Sequence, residues 1–299
     1  GTPAFQADAP LDADDESRVV VAARNGARPL LASGGDMTLA IGAGAELVLD
    51  GLVLSGGALV LPAAADDATR TLVLRHCTLV PGLSLQSDGS ATSPGVPSLV
   101  IEHPFANVRL EHCITGALRV AAGADIEIVD SIVDAGAATA VAYAAPDGDG
   151  HGGTLVVRDS TLVGKVHARV IELASDTIFH AALADADAWL APVRAQRTQQ
   201  GCVRFCWLPV DSIAPRRYRC LPDEAYPGVR PHFNALRYGQ PAYMQLRAST
   251  PTVLLRGASD EGEPGAMHAL AQPQREANLR IRLDEYLRHG LGAGIFHAT

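Results

Sequence analysis

A short phrase of alternating apolar and polar residues recurs along the first two-thirds of the chain, and each copy ends in a small polar triplet. The copies lie at residues 47–52, 72–79, 108–114, 126–132, 155–162 and, more loosely, 170–178. Self-similarity at a period of tens of residues is typical of repeat proteins. Repeats that consist only of strands and short turns form β-solenoids. The phrase therefore predicts a stack of β-coils.

The spacing of the copies supports this interpretation. Aligning them makes the following polar residues equivalent: Asp50, His76, His112, Asp130, Asp159 and Asp176. The shortest steps have about the length of one coil, and the longer steps contain Gly-, Ser- and Pro-rich stretches such as 81–97 and 147–153, which are typical of loops. The small residues of the triplets are expected to stack at one corner of each coil, namely Gly51, Cys77, Cys113, Ser131 and Ser160.

The composition changes near residue 180. Residues 1–189 carry a net charge of −14 and residues 190–299 one of +5, and only three of the aromatic residues precede residue 179. We therefore predict three parts. An N-terminal lead-in with the first strands covers 1–40, and the parallel coils cover 41–180. The last coil and an Arg- and aromatic-rich cap or docking region cover 181–299.

The C-terminal part contains one clear helical pattern, over residues 273–289. Pro273 suits the first helical position, Gly290 suits the stop, and apolar residues fall on one face. An open solenoid end exposes an apolar cross-section and unpaired strand edges, so a cap is physically required. We expect this helix either to cap the solenoid or to dock onto another subunit.

Several functional classes lack their sequence signals. No apolar run approaches the roughly 18–20 residues of a membrane-spanning helix, and no glycine-rich phosphate loop or nucleophile elbow is present. We therefore predict no membrane span and no cofactor. Nucleic-acid binding is not expected either, because Lys165 is the only lysine and the arginines are scattered. The predominance of arginine over lysine suggests a bacterial source, and the compartment stays open between a cytoplasmic assembly and the cell exterior.

The aligned corner residues are the first candidates for chemistry. Asp130, Asp159 and His112 are weak catalytic candidates, since carboxylates and imidazoles that follow one edge can act as acids, bases or cation ligands. The alternative is structural: one polar residue per coil can satisfy backbone groups where each strand ends.

Two further groups are weak metal-binding candidates. Asp147 and Asp149 lie close together on a flexible turn, as in calcium loops, but an ordinary solvated turn has the same sequence. Cys202, Cys206 and Cys220 form the densest cysteine group, although their spacing is unusual for zinc. A Cys206–Cys220 disulfide or buried, unreacted thiols are the other interpretations.

Residues 40–208 resemble the right-handed parallel β-helix (pectin-lyase-like) superfamily. The block 272–296 is similar to the C-termini of uncharacterised bacterial proteins from phage-tail-like contractile injection gene clusters. These resemblances imply a mainly β, right-handed parallel β-helix with a C-terminal strand and helix cap. They favour a non-enzymatic structural or interaction module, with protein partners at the C-terminal region and homo-oligomers as an open question. The alternatives are a polysaccharide lyase or glycoside hydrolase that uses the β-helix groove, and a glycan-binding adhesin.

Overall fold

The computed structural model describes residues 4–6 and 10–296. These residues form 24 strands. The strands are β1 (Ala4–Gln6), β2 (Leu11–Ala13), β3 (Arg18–Ala22), β4 (Leu30–Ala32), β5 (Met37–Ile41), β6 (Glu46–Asp50), β7 (Val53–Ser55), β8 (Leu59–Leu61), β9 (Arg70–Arg75), β10 (Thr78–Leu79), β11 (Pro97–Ile101), β12 (Ala106–Glu111), β13 (Ile114–Thr115), β14 (Ala117–Val120), β15 (Asp125–Val129), β16 (Ile132–Asp134), β17 (Val141–Ala144), β18 (Gly152–Arg158), β19 (Thr161–Val163), β20 (Lys165–Ser175), β21 (Ile178–His180), β22 (Val193–Ala195), β23 (Cys202–Arg204) and β24 (Arg217–Tyr218).

The strands wind into a parallel β-solenoid with three sheets. Up to β16, each strand pairs in parallel with the strand three positions later in the chain. The first sheet has the order β1-β4-β7-β10-β13-β16-β19-β21. The second contains β2, β5, β8, β11, β14 and β17, and the third contains β3, β6, β9, β12, β15 and β18. Strand β20 is long enough to belong to both, because its beginning pairs with β17 and β22 and its end with β18 and β23. The prediction of a mainly β, parallel solenoid is therefore confirmed.

Alternation along each strand fills the interior. In β12, Val108 and Leu110 are buried, whereas Asn107 and Arg109 face solvent. Equivalent leucines of the neighbouring coils, such as Leu74, are fully buried and stack into one continuous apolar core. Each such side chain contributes about 2 kcal/mol of transfer free energy. The two-residue period of the repeated phrase is thus the pattern that fixes which side chains enter the core.

A ladder of small residues fills the corner after the third sheet. In order along the chain it consists of Cys77, Cys113, Ser131, Ser160, Thr177, Cys206 and Cys220, all buried. Ser131 Oγ donates to the carbonyl of Val129 at 2.6 Å and accepts from the backbone N–H of Cys113 at 2.9 Å. Ser160 Oγ likewise accepts from the N–H of Ser131. The stack of small residues is therefore as predicted, except that Leu52, rather than Gly51, occupies its place in the earlier coil.

The coils continue to residue 221. Ile213 bridges Arg194, β24 pairs with β23, and Leu221 bridges Trp207, so residues 211–221 make a short last coil. The guanidinium of Arg217 donates to the carbonyl of Ser212 at 2.6 Å, across this coil. The three-part division at residues 40 and 180 stays a prediction.

The chain then turns back along the outer surface of the first sheet. We call residues 222–271 the strap. Its Met244 packs against Ile132 and Val163, and Tyr243 Oη donates to Asp134 Oδ2 at 2.6 Å. The strap contains a short helix, α1 (Thr252–Leu255), and a 3-10 turn (His268–Leu270).

The predicted C-terminal helix is present as α2 (Gln272–Tyr286). Glu276 is its only buried residue, and the helix exposes Leu279 and Ile281 to solvent. The prediction that this helix caps an end of the solenoid is therefore not confirmed. Within the described part of the chain, no helix has both the length and the apolarity that crossing a membrane requires.

Candidate functional site

From the second coil onward, the corner after the third sheet places one residue per coil in the left-handed backbone region. These residues, with φ, are Gly51 (74°), His76 (50°), His112 (52°), Asp130 (46°), Asp159 (48°), Asp176 (54°), Phe205 (53°) and Arg219 (49°). Asp and His adopt this region more readily than most non-glycine residues, so the backbone itself favours them here. The predicted alignment is one residue early at Asp50, because Asp50 pairs with Arg75 and Gly51 is the residue equivalent to His76.

The candidate His112 lies on the open part of this corner. Its ring stacks on that of His76, with centroids 5.0 Å apart and an angle of 3° between the rings. Its Nδ1 lies 3.8 Å from Asp130 Oδ2, which is too long for a hydrogen bond. Residues at the same position in neighbouring coils therefore contact each other side by side, as the register dictates.

Further along, the strap approaches the corner and adds groups to Asp159. His268 Nε2 lies 3.9 Å from Asp159 Oδ1 and 3.4 Å from Asp260 Oδ2. Burial raises the pKa of the Asp159 carboxyl to about 6, and the negative charges of Asp176, Asp130 and Asp260 act in the same direction. The structure thus brings Asp130 and Asp159 into one cluster with a histidine, whereas His112 stands at its edge.

The surroundings of His268 favour the protonated form of its imidazole. Burial of the ring opposes the charged form, but the carbonyl of Glu263, 2.8 Å from Nδ1, and the carboxylates of Asp159 and Asp260 outweigh it and raise the pKa of His268. The cluster can therefore exchange protons close to neutral pH.

Glu263 lies fully buried behind His268. Its Oε1 accepts from the backbone N–H of Gln272, at the beginning of α2, whereas its Oε2 has no hydrogen-bond partner. Burial raises the pKa of Glu263 to about 7. A buried carboxyl that is half satisfied is stable mainly in its protonated form.

Both carboxylate oxygens of Asp176 accept hydrogen bonds from groups of the same chain. Its Oδ1 accepts from the N–H of Ser259 at 2.5 Å, and its Oδ2 accepts from the hydroxyl of Ser175 at 2.5 Å. Its carbonyl also accepts from the N–H of Gly265. This corner residue therefore anchors the strap, which is a structural use of the ladder.

No sequence pattern pointed to the strap residues of this cluster. His268, Asp260 and Glu263 lie about a hundred residues from Asp159 in the chain, and no motif surrounds them. Only the long return of the chain along the first sheet brings them to the corner.

The candidates Asp147 and Asp149 do not converge on one point. Asp147 Oδ1 accepts from the N–H groups of Asp149 and Gly150, at 2.9 and 2.8 Å. These backbone hydrogen bonds, with the nearby Arg119, lower the pKa of Asp147. The carbonyl of Asp149, rather than its carboxylate, lies 3.2 Å from His167 Nδ1.

The three cysteine candidates lie in two different places of the fold. Cys206 and Cys220 are neighbours in the ladder of small residues, and Cys202 lies on β23. All five cysteines are unbridged thiols, and burial raises the pKa of Cys77 to about 11 and that of Cys113 to about 12. Across residues 4–6 and 10–296, no three His, Cys, Asp or Glu side chains are grouped as a metal site would require.

The outer face of the third sheet carries a network of ion pairs. Arg109 Nε lies 2.7 Å from Glu111 Oε1 and 3.4 Å from Glu127 Oε2. Arg75 pairs with Glu111 at 2.7 Å, and Arg158 pairs with Glu127. The sequence signal was the charged residue at alternate positions of the repeated phrase. Each of these carboxylates is therefore paired with at least one arginine of its own or a neighbouring coil.

Comparisons with known proteins add no relative. No family model, no curated protein and no solved structure matches this chain. The fold and the site therefore rest on the strand pairing and the side-chain geometry described above.

Proposed function

We propose that the chain is a right-handed parallel β-helix with the architecture of the pectin-lyase-like superfamily. We further propose that it is a non-enzymatic structural or interaction module of a bacterial assembly, either phage-tail-like or on the cell surface. The observation that carries this proposal is the exposed C-terminal segment. It presents these apolar side chains to solvent: Leu279, Ile281, Tyr286, Leu291 and Phe296, of which Tyr286 is 87% and Phe296 93% exposed.

Such a segment fits a docking element. Large apolar side chains grouped on one segment of a soluble protein mark interaction surfaces, and aromatic residues contribute strongly to binding energy at interfaces. The solenoid supplies a rigid support, because every coil is held to the next by parallel strands. The resemblance of block 272–296 to proteins of contractile injection clusters, an expectation made from the sequence alone, is the reason for proposing the phage-tail-like form of the assembly.

The arrangement of the corner carboxylates supports a non-enzymatic role. A general acid or base must reach a proton on the substrate. Asp176 instead binds backbone and hydroxyl groups of its own chain, and Asp159 lies beneath the strap beside His268. We propose that these residues hold the strap on the solenoid.

A photocrosslinking experiment tests the docking role. A photoreactive phenylalanine analogue replaces Ile281 on α2 and, in a matched control, Val20, which is also apolar and half exposed but lies on β3. After irradiation in the source cells, position 281 should crosslink to a tube-, sheath- or surface-assembly protein, and position 20 should not. Equal labelling at both positions, or none at 281, contradicts the proposal.

A second candidate function is glycan binding or cleavage, favoured by one observation. A shallow groove of about 490 Å³ runs over the ion-pair network of the third sheet, and uncharged polar side chains of Asn107 and Thr154 also line it. Retention on an acidic polysaccharide that is weakened by Arg109→Gln would indicate an adhesin. Cleavage of the polysaccharide that is lost in Glu127→Gln, whose carboxylate lines the groove, would indicate a lyase or hydrolase.

A further inference from the structure

A cavity of about 450 Å³ lies between the last coils and the strap. Its walls include Trp207, Val229 and five prolines, namely Pro192, Pro209, Pro222, Pro227 and Pro231. Proline has no backbone N–H and little freedom of rotation, so these parts of the wall are rigid and offer no backbone donor. The volume is within the range of small-molecule sites, which are mostly apolar with a few placed polar groups.

His180 is the first of those polar groups. It lies at the end of β21, and its ring is held between Trp207 and Phe233, at centroid distances of 6.4 and 5.4 Å. Burial lowers the pKa of His180, so the ring is neutral at pH 7. Its Nδ1 is buried and has no hydrogen-bond partner.

This isolation of Nδ1 indicates the tautomer. A buried N–H without an acceptor is rarer than a buried acceptor without a donor. In a neutral imidazole one nitrogen carries the proton and the other accepts. The proton is therefore assigned to Nε2, which makes His180 a hydrogen-bond donor to whatever occupies the cavity.

Two opposite charges complete the polar set. Asp211 contributes from the last coil and Arg230 from the strap, and both line the cavity while remaining exposed. In the portion of the chain that the structure describes, neither forms an ion pair within 4.0 Å. A cavity whose wall combines apolar side chains with one exposed cation and one exposed anion matches a ligand that has an apolar part and both signs of charge.

We propose that this cavity binds a small amphipathic zwitterion, of which an apolar amino acid is the simplest example. The ligand carboxylate faces Arg230 and the Nε2–H of His180, and the ammonium faces Asp211. The apolar side chain packs against the prolines and Trp207. This binding is independent of the docking role of α2.

The experiment uses three probes with the same branched alkyl group. L-leucine carries both charges, isocaproate only the carboxylate, and isoamylamine only the ammonium. The protein carries Trp189→Phe, which leaves Trp207 in the cavity wall as the only tryptophan. Its fluorescence then reports binding by each probe.

L-leucine should give a saturable change, and each single-charge probe should bind about tenfold more weakly, a difference of about 1.4 kcal/mol. Arg230→Gln should weaken leucine and isocaproate, and Asp211→Asn should weaken leucine and isoamylamine. Arg216→Gln is the matched control for Arg230→Gln. Arg216 is exposed and lies on the same last coil as Asp211, but it does not line the cavity.

Two results would overturn the proposal. One is the absence of a saturable change with leucine at concentrations up to the millimolar range. The other is equal binding of leucine and isocaproate, since recognition of the ammonium would then be missing. Because Asp211 and Arg230 are exposed, their substitution leaves the core intact, and a loss of binding reports on the cavity.

Discussion

The ladder of small residues makes a quantitative prediction at Ser131. The side chain is 1% exposed, and its Oγ accepts from the N–H of Cys113 while donating to the carbonyl of Val129. In Ser131→Ala the carbonyl of Val129 still accepts a hydrogen bond from the N–H of His112, at 3.1 Å. The N–H of Cys113 loses the serine acceptor in a buried corner. The expected loss of unfolding free energy is therefore about 1–3 kcal/mol, the cost of one orphaned buried donor.

The assay is urea unfolding, combined with hydrogen exchange at the amide of Cys113. Ser131→Ala should shift the unfolding midpoint and speed exchange at that amide in particular. Ser131→Cys should lose less unfolding free energy, because the thiol sulfur would lie near the position of the serine Oγ and is a weak acceptor. Cysteine also occupies the two preceding positions of the ladder, at Cys77 and Cys113. Ser87→Ala, in an exposed loop, is the control and should change stability by less than about 0.5 kcal/mol.

The reasoning is refuted if Ser131→Ala keeps the wild-type midpoint and the Cys113 amide stays protected. The corner would then be held by packing alone, and the hydroxyl would be dispensable.

Three further predictions concern the strap and the coil contacts. Tyr243→Phe removes the hydroxyl donor to buried Asp134, so hydrogen exchange in the strap should become faster and stability should fall by about 1–3 kcal/mol. Burial raises the pKa of Glu263 from 4.5 to about 7, so the folded state binds its proton more tightly than the unfolded state does. Stability should therefore fall as pH rises from about 4.5 through about 7, by about 3 kcal/mol, and a pH series of unfolding curves should show much less of this fall in Glu263→Gln. Gly153→Ala places a Cβ 1.9 Å from the carbonyl oxygen of Ala124 in the preceding coil and should abolish folding, as judged by circular dichroism, whereas Gly228→Ala meets no atom within 4 Å and should fold normally.

The coils could be predicted from the sequence because their signal is local. Apolar residues alternate within each phrase, and each phrase ends in a residue type that tolerates left-handed backbone, as at His112 and Asp130. The error at Asp50 has a physical reason. Glycine adopts positive φ most readily, so Gly51 takes the corner in that coil and displaces the aspartate to the end of the strand.

The strap and the position of α2 could not be predicted in this way. The hydrogen bond between Tyr243 and Asp134 joins residues 109 positions apart, and no local pattern specifies such a contact. The amphipathic pattern of residues 273–289 predicted the helix itself, but an apolar face does not reveal whether the same chain or a partner covers it. For the same reason, only the corner residues of the cluster around Asp159 were predicted, and its strap residues were not.

The most direct test of the assembly role is sedimentation of a native lysate from the source cells, probed for this chain. The account predicts that the chain travels with a megadalton particle that contains tube, sheath or surface-assembly proteins, and that exchanging Leu279 and Ile281 for aspartate releases it. A chain that sediments as a free monomer or trimer would contradict the account.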